Sequence, residues 1–324
     1  MKLLLVQKYR MKKIKIILAF ALVELLCSPL LWRGAGGEAL AQQDAQYSMY
    51  MFNQLALNPA FAGSREMLST TMLYRKQWTG IQGSPSTGSL SVQMPLKKKK
   101  IGVGMEILSD RIGPKNVSSV LFSYAYRLPL WKGKLSMGLR MGMYDYVFDW
   151  AKMDYRDKAD LYNTGVRSSK FTGTGDFGLY YYTRTFYWGL SGDHLNRGKI
   201  VAGGSDTVAR QAMHAFMPIG KAIQVGGVVI NPTMLVKYAS GSPPTADLSV
   251  NVLLKESCWV GISARSGYGF VLLTQFFIND KLKVGYSYDY GMNKIGIAGG
   301  GSHEIMIGYD LNLHKSKMMM PRYL

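Results

Sequence analysis

The sequence contains little charge, almost no cysteine and few long apolar runs. Charged residues make up 18% of its 324 residues, whereas hydrophobic residues make up 48%. Intrinsic disorder requires the opposite balance, and two cysteines, Cys27 and Cys258, are too few for a disulfide-stabilised scaffold. After residue 41, no segment approaches the roughly 18 uncharged apolar residues of a membrane-spanning helix, so we predict no such helix.

Acidic residues are also scarce, because 20 Asp and Glu stand against 39 Lys and Arg, for a formal net charge of +19. Such an excess is typical of nucleic-acid-binding proteins. Residues 1–41 argue against that class, because they combine a lysine-rich start, an apolar run at 16–23 and Ala-Leu-Ala at 39–41. A membrane anchor would need a longer run. We therefore predict a cleaved signal peptide at 1–41 and attraction to outer-membrane lipid, with no nucleic-acid partner.

What the mature sequence does contain is alternation with a period of two. Residues 135–143, 282–290 and 305–313 each place an apolar side chain at every second position. The positions between them hold mainly small or polar residues, which suit a wet lumen better than a packed core. We predict an all-β fold, a transmembrane antiparallel β-barrel. The alternative is a soluble β-sandwich whose apolar face points inward.

Fourteen segments carry this pattern, and most of the connections between them are alternately short and long. Outer-membrane barrels have an even number of strands and short periplasmic turns, so we expect both termini in the periplasm. The barrel then spans 67–313, with a periplasmic N-terminal arm or plug at 42–66 and a periplasmic C-terminal tail at 314–324. The predicted strands are 67–77, 87–95, 100–109, 116–128, 133–148, 173–183, 185–193, 211–218, 224–239, 247–255, 257–265, 268–278, 281–290 and 302–313.

No motif predicts catalysis or a bound cofactor. Residues 173–178 fit Gly-x-Gly-x-x-Gly, but a strand-like segment follows where a dinucleotide site needs a helix. The histidines His194, His214, His303 and His314 lack metal-ligand spacing, and no nucleophile elbow frames a serine. We therefore expect no enzymatic activity, no cofactor and no metal site.

Short motifs occur near both ends of the predicted barrel. The N-terminal part contains Asn-Pro-Ala-Phe-Ala-Gly at 58–63 and Tyr-Arg-Lys-Gln-Trp at 74–78. The C-terminal part contains Gly-Tyr-x-Tyr-Asp at 285–289 and Ser-His-Glu-Ile-Met-x-Gly-Tyr at 302–309. With these motifs the chain resembles the PorP/SprF family of Bacteroidetes outer-membrane proteins over nearly all of 42–314. It departs from the family pattern at Asn231-Pro232-Thr233.

The resemblance implies a role in type IX secretion, which moves folded proteins across the outer membrane and supports gliding motility in some members. The implied partners are machinery subunits, including the periplasmic ring, and secreted cargo such as adhesins. The resemblance also implies that the protein is not catalytic and carries no cofactor. The positions that match the family motifs, with a structural or partner-contact role, are Asn58, Pro59, Gly63, Arg75, Gln77, Trp78, His303, Glu304 and Tyr309.

Two features of the predicted barrel remain to be tested by the structure. Arg75 lies in the first strand and Glu304 in the last, so we predict an ion pair between them that closes the barrel. Fourteen strands also enclose enough space for a porin or solute channel, which is the alternative function. The sequence leaves open whether 42–66 fills that space.

Overall fold

The computed structural model describes residues 44–96, 100–152, 167–201 and 208–312, most of them in β-strands. The described 3-10 helices are Tyr50–Phe52, Gln54–Ala56, Pro59–Phe61 and Trp150–Lys152, and an α-helix, α1, spans Lys294–Ala298. In these ranges, every helix is too short or too polar to cross a membrane. The strands are β1 (Leu68–Lys76), β2 (Ser86–Leu96), β3 (Ile101–Ile112), β4 (Lys115–Leu130), β5 (Gly133–Asp149), β6 (Arg167–Tyr182), β7 (Phe186–Asp193), β8 (Lys199–Val201), β9 (Val208–Arg210), β10 (His214–Lys221), β11 (Ile223–Val225), β12 (Val228–Ala239), β13 (Thr245–Leu254), β14 (Cys258–Arg265), β15 (Gly269–Phe277), β16 (Leu282–Gly291) and β17 (Ser302–Leu311).

The strands form a closed antiparallel barrel. Each strand of the wall pairs with its neighbour along the chain, and β1 pairs with β17 to close the sheet. β10 and β11 together form one strand of the wall, since both pair with β12. β8 and β9 form a separate hairpin in the connection between β7 and β10. The wall therefore has fourteen strands, and the prediction of an all-β, fourteen-stranded antiparallel barrel is confirmed.

The two faces of the wall differ in polarity, as the alternation predicts. In β4, Val120, Phe122 and Tyr124 are exposed on the outer face, whereas Ser119 and Ser123 are buried on the inner face. An outward apolar row removes unfavourable contact between polar groups and hydrocarbon. A soluble sandwich would bury its apolar row instead, so this observation excludes that alternative.

The barrel has two distinct ends. At the long-loop mouth, where β1 ends, the connections include 77–85, 194–213 and 292–301. At the short-turn mouth, where β1 begins, tight turns such as 226–227 and 255–257 join the strands. Because every neighbouring pair is antiparallel, each strand boundary can be assigned to one mouth.

The strand bounds differ most from the prediction at three places. β6 begins at Arg167 rather than 173, because its first residues pair with the end of β5 although their sequence has the mixed charge of a loop. The long connection predicted at 110–115 is only Gly113-Pro114, since β3 and β4 both extend further. The segment predicted as the strand 224–239 contains a hairpin turn at Gly226-Gly227, where Gly226 has φ +59°.

Pro232 lies inside β12 at a break in one of its ladders. β12 pairs with β10 from Thr233 onward and with β11 up to Ile230, so the described pairing on that side skips Asn231 and Pro232. Proline cannot donate a ladder hydrogen bond, and the register is the same on both sides of the gap, since Gly220 pairs with Thr233 and Ile223 with Ile230. The break in this wall strand therefore follows from the Asn-Pro pair.

Several predictions lie outside the described residues. These are the signal peptide at 1–41, the start of the arm at 42–43, the turn residues 97–99, part of the predicted 149–172 loop, and the tail at 314–324 with His314.

Candidate functional site

Residues 44–66, here called the luminal segment, run through the barrel from one mouth to the other. At the long-loop mouth, Asp44 Oδ2 lies 2.7 Å from His194 Nε2, which directly follows the end of β7. At the short-turn mouth, Glu66 Oε1 lies 2.5 Å from Lys134 Nζ, near the start of β5. The segment therefore fills the lumen as a plug. Its ends lie at opposite mouths.

The luminal segment is held by hydrogen bonds from many strands. The Tyr50 hydroxyl lies 3.2 Å from Thr233 Oγ1 and 3.3 Å from Ser249 Oγ. On the opposite side of the lumen, Asn53 Nδ2 donates to Ser91 Oγ at 3.1 Å. These strands, β12, β13 and β2, are separated around the wall, so the segment contacts the inner surface in several directions.

Asn58 and Pro59 form the turn that their sequence predicts. Asn58 Oδ1 accepts a hydrogen bond of 2.9 Å from the Ala60 amide and caps the helix Pro59–Phe61, in which proline takes the first position. The Asn58 Nδ2 group donates to the Leu179 carbonyl at 2.9 Å. Asn58 thus fixes both the local turn and the position of the segment against β6.

Wall glycines provide the space for this turn. A Cβ atom at Gly138 would overlap the backbone of Ala60, and one at Gly102 would overlap the Ala62 carbonyl. Gly178, the last glycine of the Gly-x-Gly-x-x-Gly match, faces the Asn58 side chain in the same way. That match lies inside β6 rather than between a strand and a helix, and within it Gly178 serves close packing of the plug.

The other N-terminal motif glycine, Gly63, also lies in the lumen. Its φ of +67° favours glycine, and its amide donates to Gln93 Oε1 at 2.9 Å. Nearby, Arg127 Nη1 donates to the Ala62 carbonyl at 2.8 Å. This motif therefore ends on a tight turn against β2 and β4.

Arg75 and Glu304 form the predicted ion pair across the seam between β1 and β17. Arg75 Nη1 lies 2.9 Å from Glu304 Oε2, and the two residues are direct partners in the ladder. Arg75 Nη2 also lies 2.6 Å from Asp289 Oδ2. The amides of Ser48 and Met49 each donate to Glu304 at 2.8 Å. The buried Glu304 carboxylate therefore links β1 and β17, the first and last strands of the wall, to the luminal segment.

A second buried charge cluster surrounds Arg140, which the sequence analysis did not identify. Its guanidinium lies 2.5 Å from Asp176, 2.6 Å from Asp193 and 3.4 Å from Glu106. Arg140 Nη1 also donates to the Leu55 carbonyl at 3.3 Å. The arginine pairs with three carboxylates from three strands and binds the backbone of the luminal segment.

The remaining motif residues lie outside the lumen or at its mouth. His303 faces outward next to inward Glu304, as the alternation predicts, and its Nδ1 lies 2.7 Å from the Tyr286 hydroxyl. Tyr309 is also exposed on the outer wall. Gln77 and Trp78 follow β1 and line a cavity of about 460 Å³ at the long-loop mouth. The family positions therefore do not form one site.

The structure also brings together three residues that the sequence did not connect. Asp44, His194 and His214 offer ligand atoms that all lie within 4.8 Å of one another at the long-loop mouth. Burial alone would raise the pKa of Asp44, but the two histidines and Lys115 lower it to about 2. Burial alone would lower the pKa of His194, but Asp44 raises it above its ordinary value. The signal was absent from the sequence because the three positions are far apart and have no ligand spacing.

Comparison with solved structures shows barrel relatives of low sequence identity. The outer membrane protein Omp33 of Acinetobacter baumannii is 10% identical, with 76% of this chain and 99% of that chain covered and a TM-score of 0.42. The P. putida toluene transporter TodX is 9% identical, with 82% and 95% covered and a TM-score of 0.45. The CymD monoaromatic hydrocarbon channel is 12% identical, with 81% and 93% covered and a TM-score of 0.47. Similarity at this level does not indicate what this chain binds.

Sequence comparison is more specific. No curated protein matches the chain. The family described as "Type IX secretion system membrane protein PorP/SprF" matches residues 39–309, which include the luminal segment and the wall up to Tyr309 in β17. The N-terminal and C-terminal motifs of the resemblance both fall inside this match. The chain therefore belongs to the PorP/SprF family of type IX secretion system membrane proteins.

Proposed function

We propose that this protein is a non-enzymatic outer-membrane component of type IX secretion that binds proteins at its two mouths. The long-loop mouth faces the cell surface and takes secreted or surface cargo, such as adhesins or gliding proteins. The short-turn mouth faces the periplasmic ring. The observation that carries this proposal is the filled lumen: a barrel whose interior is occupied by its own chain has its mouths, rather than its bore, available to partners.

The bonding of the luminal segment supports a plug that stays in place. Arg75, Glu304 and Asp289 form a buried network with Ser48, and Arg140 binds the backbone at Leu55. Removing the segment would leave these buried charges without part of their hydrogen bonding, which is costly. The second candidate, a porin or solute channel, requires an open lumen, and the filled interior weighs against it.

The cavity at the long-loop mouth has the chemistry of a protein-docking site. Trp78, Tyr268 and Arg265 line it, and the Arg265 guanidinium lies 5.7 Å from the centre of the Tyr268 ring. Aromatic and arginine side chains contribute most of the binding energy at protein interfaces. A cavity of about 460 Å³ is suited to a few side chains, so we propose that an extended cargo segment docks there.

Surface-protein composition tests this proposal. A strain that lacks the gene is complemented with the wild type, Trp78→Ala or Tyr290→Ala, and surface and culture-medium proteins are quantified. Tyr290 is the matched control because it is an aromatic residue near the same mouth but on the outer wall. We expect the deletion and Trp78→Ala to lose the same cargo from the surface, whereas Tyr290→Ala retains it. Unchanged cargo in the deletion strain, together with steady conductance of the purified barrel, would favour the porin.

The ring contact is tested separately. Trp131 is 89% exposed in the turn between β4 and β5 at the short-turn mouth. We expect Trp131→Ala to reduce co-purification of the periplasmic ring subunits without changing the amount of barrel in the membrane. Equal recovery with the wild type would place the ring contact elsewhere.

A further inference from the structure

Asp44, His194 and His214 form a compact group where the luminal segment meets the long-loop mouth. Asp44 Oδ2 lies 2.7 Å from His194 Nε2 and 3.5 Å from His214 Nδ1. The three residues come from three places: the luminal segment, the residue after β7, and the first residue of β10. Two imidazoles and a carboxylate are a common ligand set of zinc and related divalent ions.

Two buried atoms at this group have no hydrogen-bond partner within the described chain. One is His214 Nδ1, whose side chain is 95% buried and which lies near the Asp44 carboxylate. The other is Gln211 Oε1, on a residue that lines a small cavity together with Asp44 and His194. Buried polar atoms normally have partners, so a ligand bound at this group would satisfy both atoms. The cavity measures about 20 Å³, which is enough for one water molecule.

We propose that Asp44, His194 and His214 bind one divalent transition-metal ion, with Zn²⁺ as the ion that best fits the ligand set. A water molecule in the small cavity takes the fourth position and donates to Gln211 Oε1. Zinc at 2.0–2.1 Å from its ligands places them about 3.3 Å apart. Asp44 Oδ2 and His194 Nε2, now 2.7 Å apart, must therefore separate slightly, whereas the ligand atoms that lie further apart must approach. Small rotations of the two imidazoles and of the partly exposed Asp44 side chain bring the ligand atoms to this spacing.

The surroundings orient the ligands for such an ion. His194 Nδ1 lies 2.9 Å from the Thr174 hydroxyl, which itself donates to Asp176 Oδ1 at 3.0 Å. The His194 amide also donates to Asp176, at 2.8 Å. Metal-bound histidines usually have such a partner on the ring nitrogen that faces away from the metal. His194 Nε2 is thereby directed at Asp44.

The ion would tie the start of the luminal segment to the wall. Asp44 is the first described residue of the chain, and its bonds at this mouth are to the two histidines. Coordination of the ion would join Asp44 to both β7 and β10. The expected consequence is a luminal segment that resists proteolysis better with the metal than without it.

Zinc binding to the purified full-length mature barrel tests the site. The protein is prepared without a histidine tag, stripped with a chelator and titrated with ZnCl₂ by calorimetry in detergent. We expect one Zn²⁺ per chain in the wild type. His194→Gln/His214→Gln removes two ligands, so affinity should fall by more than about 100-fold. The matched control is His303→Gln/His314→Gln, which changes the other two histidines and should bind like the wild type.

A spectroscopic measurement separates loss of the site from loss of the fold. Heat-modifiable migration on a gel reports whether each variant is a folded barrel. Co²⁺ then replaces Zn²⁺, and its visible absorption should show four-coordinate nitrogen and oxygen ligation in the wild type and in Asp44-containing controls, but not in Asp44→Asn. Equal zinc binding by the wild type and the folded His194→Gln/His214→Gln variant overturns the proposal, as does a wild type that binds no zinc.

Discussion

At the scale of single residues, Arg75 joins the first and last strands of the wall. It contacts Glu304 on β17, Asp289 on β16 and Ser48 of the luminal segment. We expect Arg75→Ala to lower the free energy of unfolding by about 3–5 kcal/mol, because the buried Glu304 carboxylate loses its counter-charge and Asp289 keeps only Arg265. Urea unfolding of the barrel in detergent, followed by tryptophan fluorescence, measures the change.

The control for this prediction is Arg111→Ala. Arg111 is exposed near the long-loop mouth and donates to Asn116 across the β3–β4 ladder. Exposed substitutions of this kind usually change stability by less than about 0.5 kcal/mol. If both alanine variants unfold at the same urea concentration, the seam does not depend on Arg75.

Glycines of the wall should also be sensitive to substitution. We expect Gly138→Ala to cost about 1–3 kcal/mol, because its methyl group would overlap the Ala60 backbone. The luminal segment should then be cleaved faster by an added protease, since it must shift to relieve the overlap. Gly88→Ala is the matched control, because no described atom lies within 4 Å of a Cβ at that position. Equal cleavage of the two variants would contradict the packing described here.

The two buried arginines differ in how well the sequence reveals them. Arg75 and Glu304 were identified because both lie on the terminal strands, which any closed barrel must pair. The partners of Arg140 are 34 to 53 residues away on strands β3, β6 and β7. Their meeting depends on strand register and on the carbonyl groups of the luminal segment, and neither can be derived from a single sequence.

At the scale of elements, alternation predicted the wall well but not its interruptions. Strands β12 to β17 carry a regular apolar row, so their number and order follow from the sequence. The start of β6 was missed because Arg167 and its neighbours are polar, yet they pair with the last residues of β5 at the long-loop mouth. The sequence did not predict the turn at Gly226-Gly227, because the nearby Asn231-Pro232 pair is the stronger strand-breaking signal.

The luminal segment was the element that the sequence left open. Its residues have no period, because its hydrogen bonds go to different strands in turn rather than to one neighbour. What fixes its path is the set of glycines and buried polar groups on the opposite wall. Those partners are spread from β1 to β17, so they became visible only in three dimensions.

At the scale of the whole molecule, a filled lumen should conduct ions poorly. We expect the wild-type barrel to give no stable channel steps in a planar lipid bilayer. A variant that lacks residues 44–57 should give discrete steps, because a fourteen-stranded wall then encloses water. Large steady conductance by the wild type would contradict the plug and favour a solute channel.

The orientation of the luminal segment can be tested by labelling in cells. Ala45 lies at the long-loop mouth, so we expect Ala45→Cys, in a chain without Cys27 and Cys258, to react with a membrane-impermeant maleimide added outside. Lys132→Cys, in the turn between β4 and β5, lies at the opposite mouth and should react only after the outer membrane is opened. The reverse pattern would invert the barrel in the membrane.

The path of the luminal segment also limits how the protein is assembled. The segment precedes β1 and passes through the entire lumen before the first strand begins. Entering a finished barrel would require a free end to thread between tightly packed side chains. We therefore expect closure of the β1–β17 seam and enclosure of the segment to be one event, with the amides of Ser48 and Met49 bonded to Glu304 as the seam forms. The wall of this barrel would then be completed around the luminal segment.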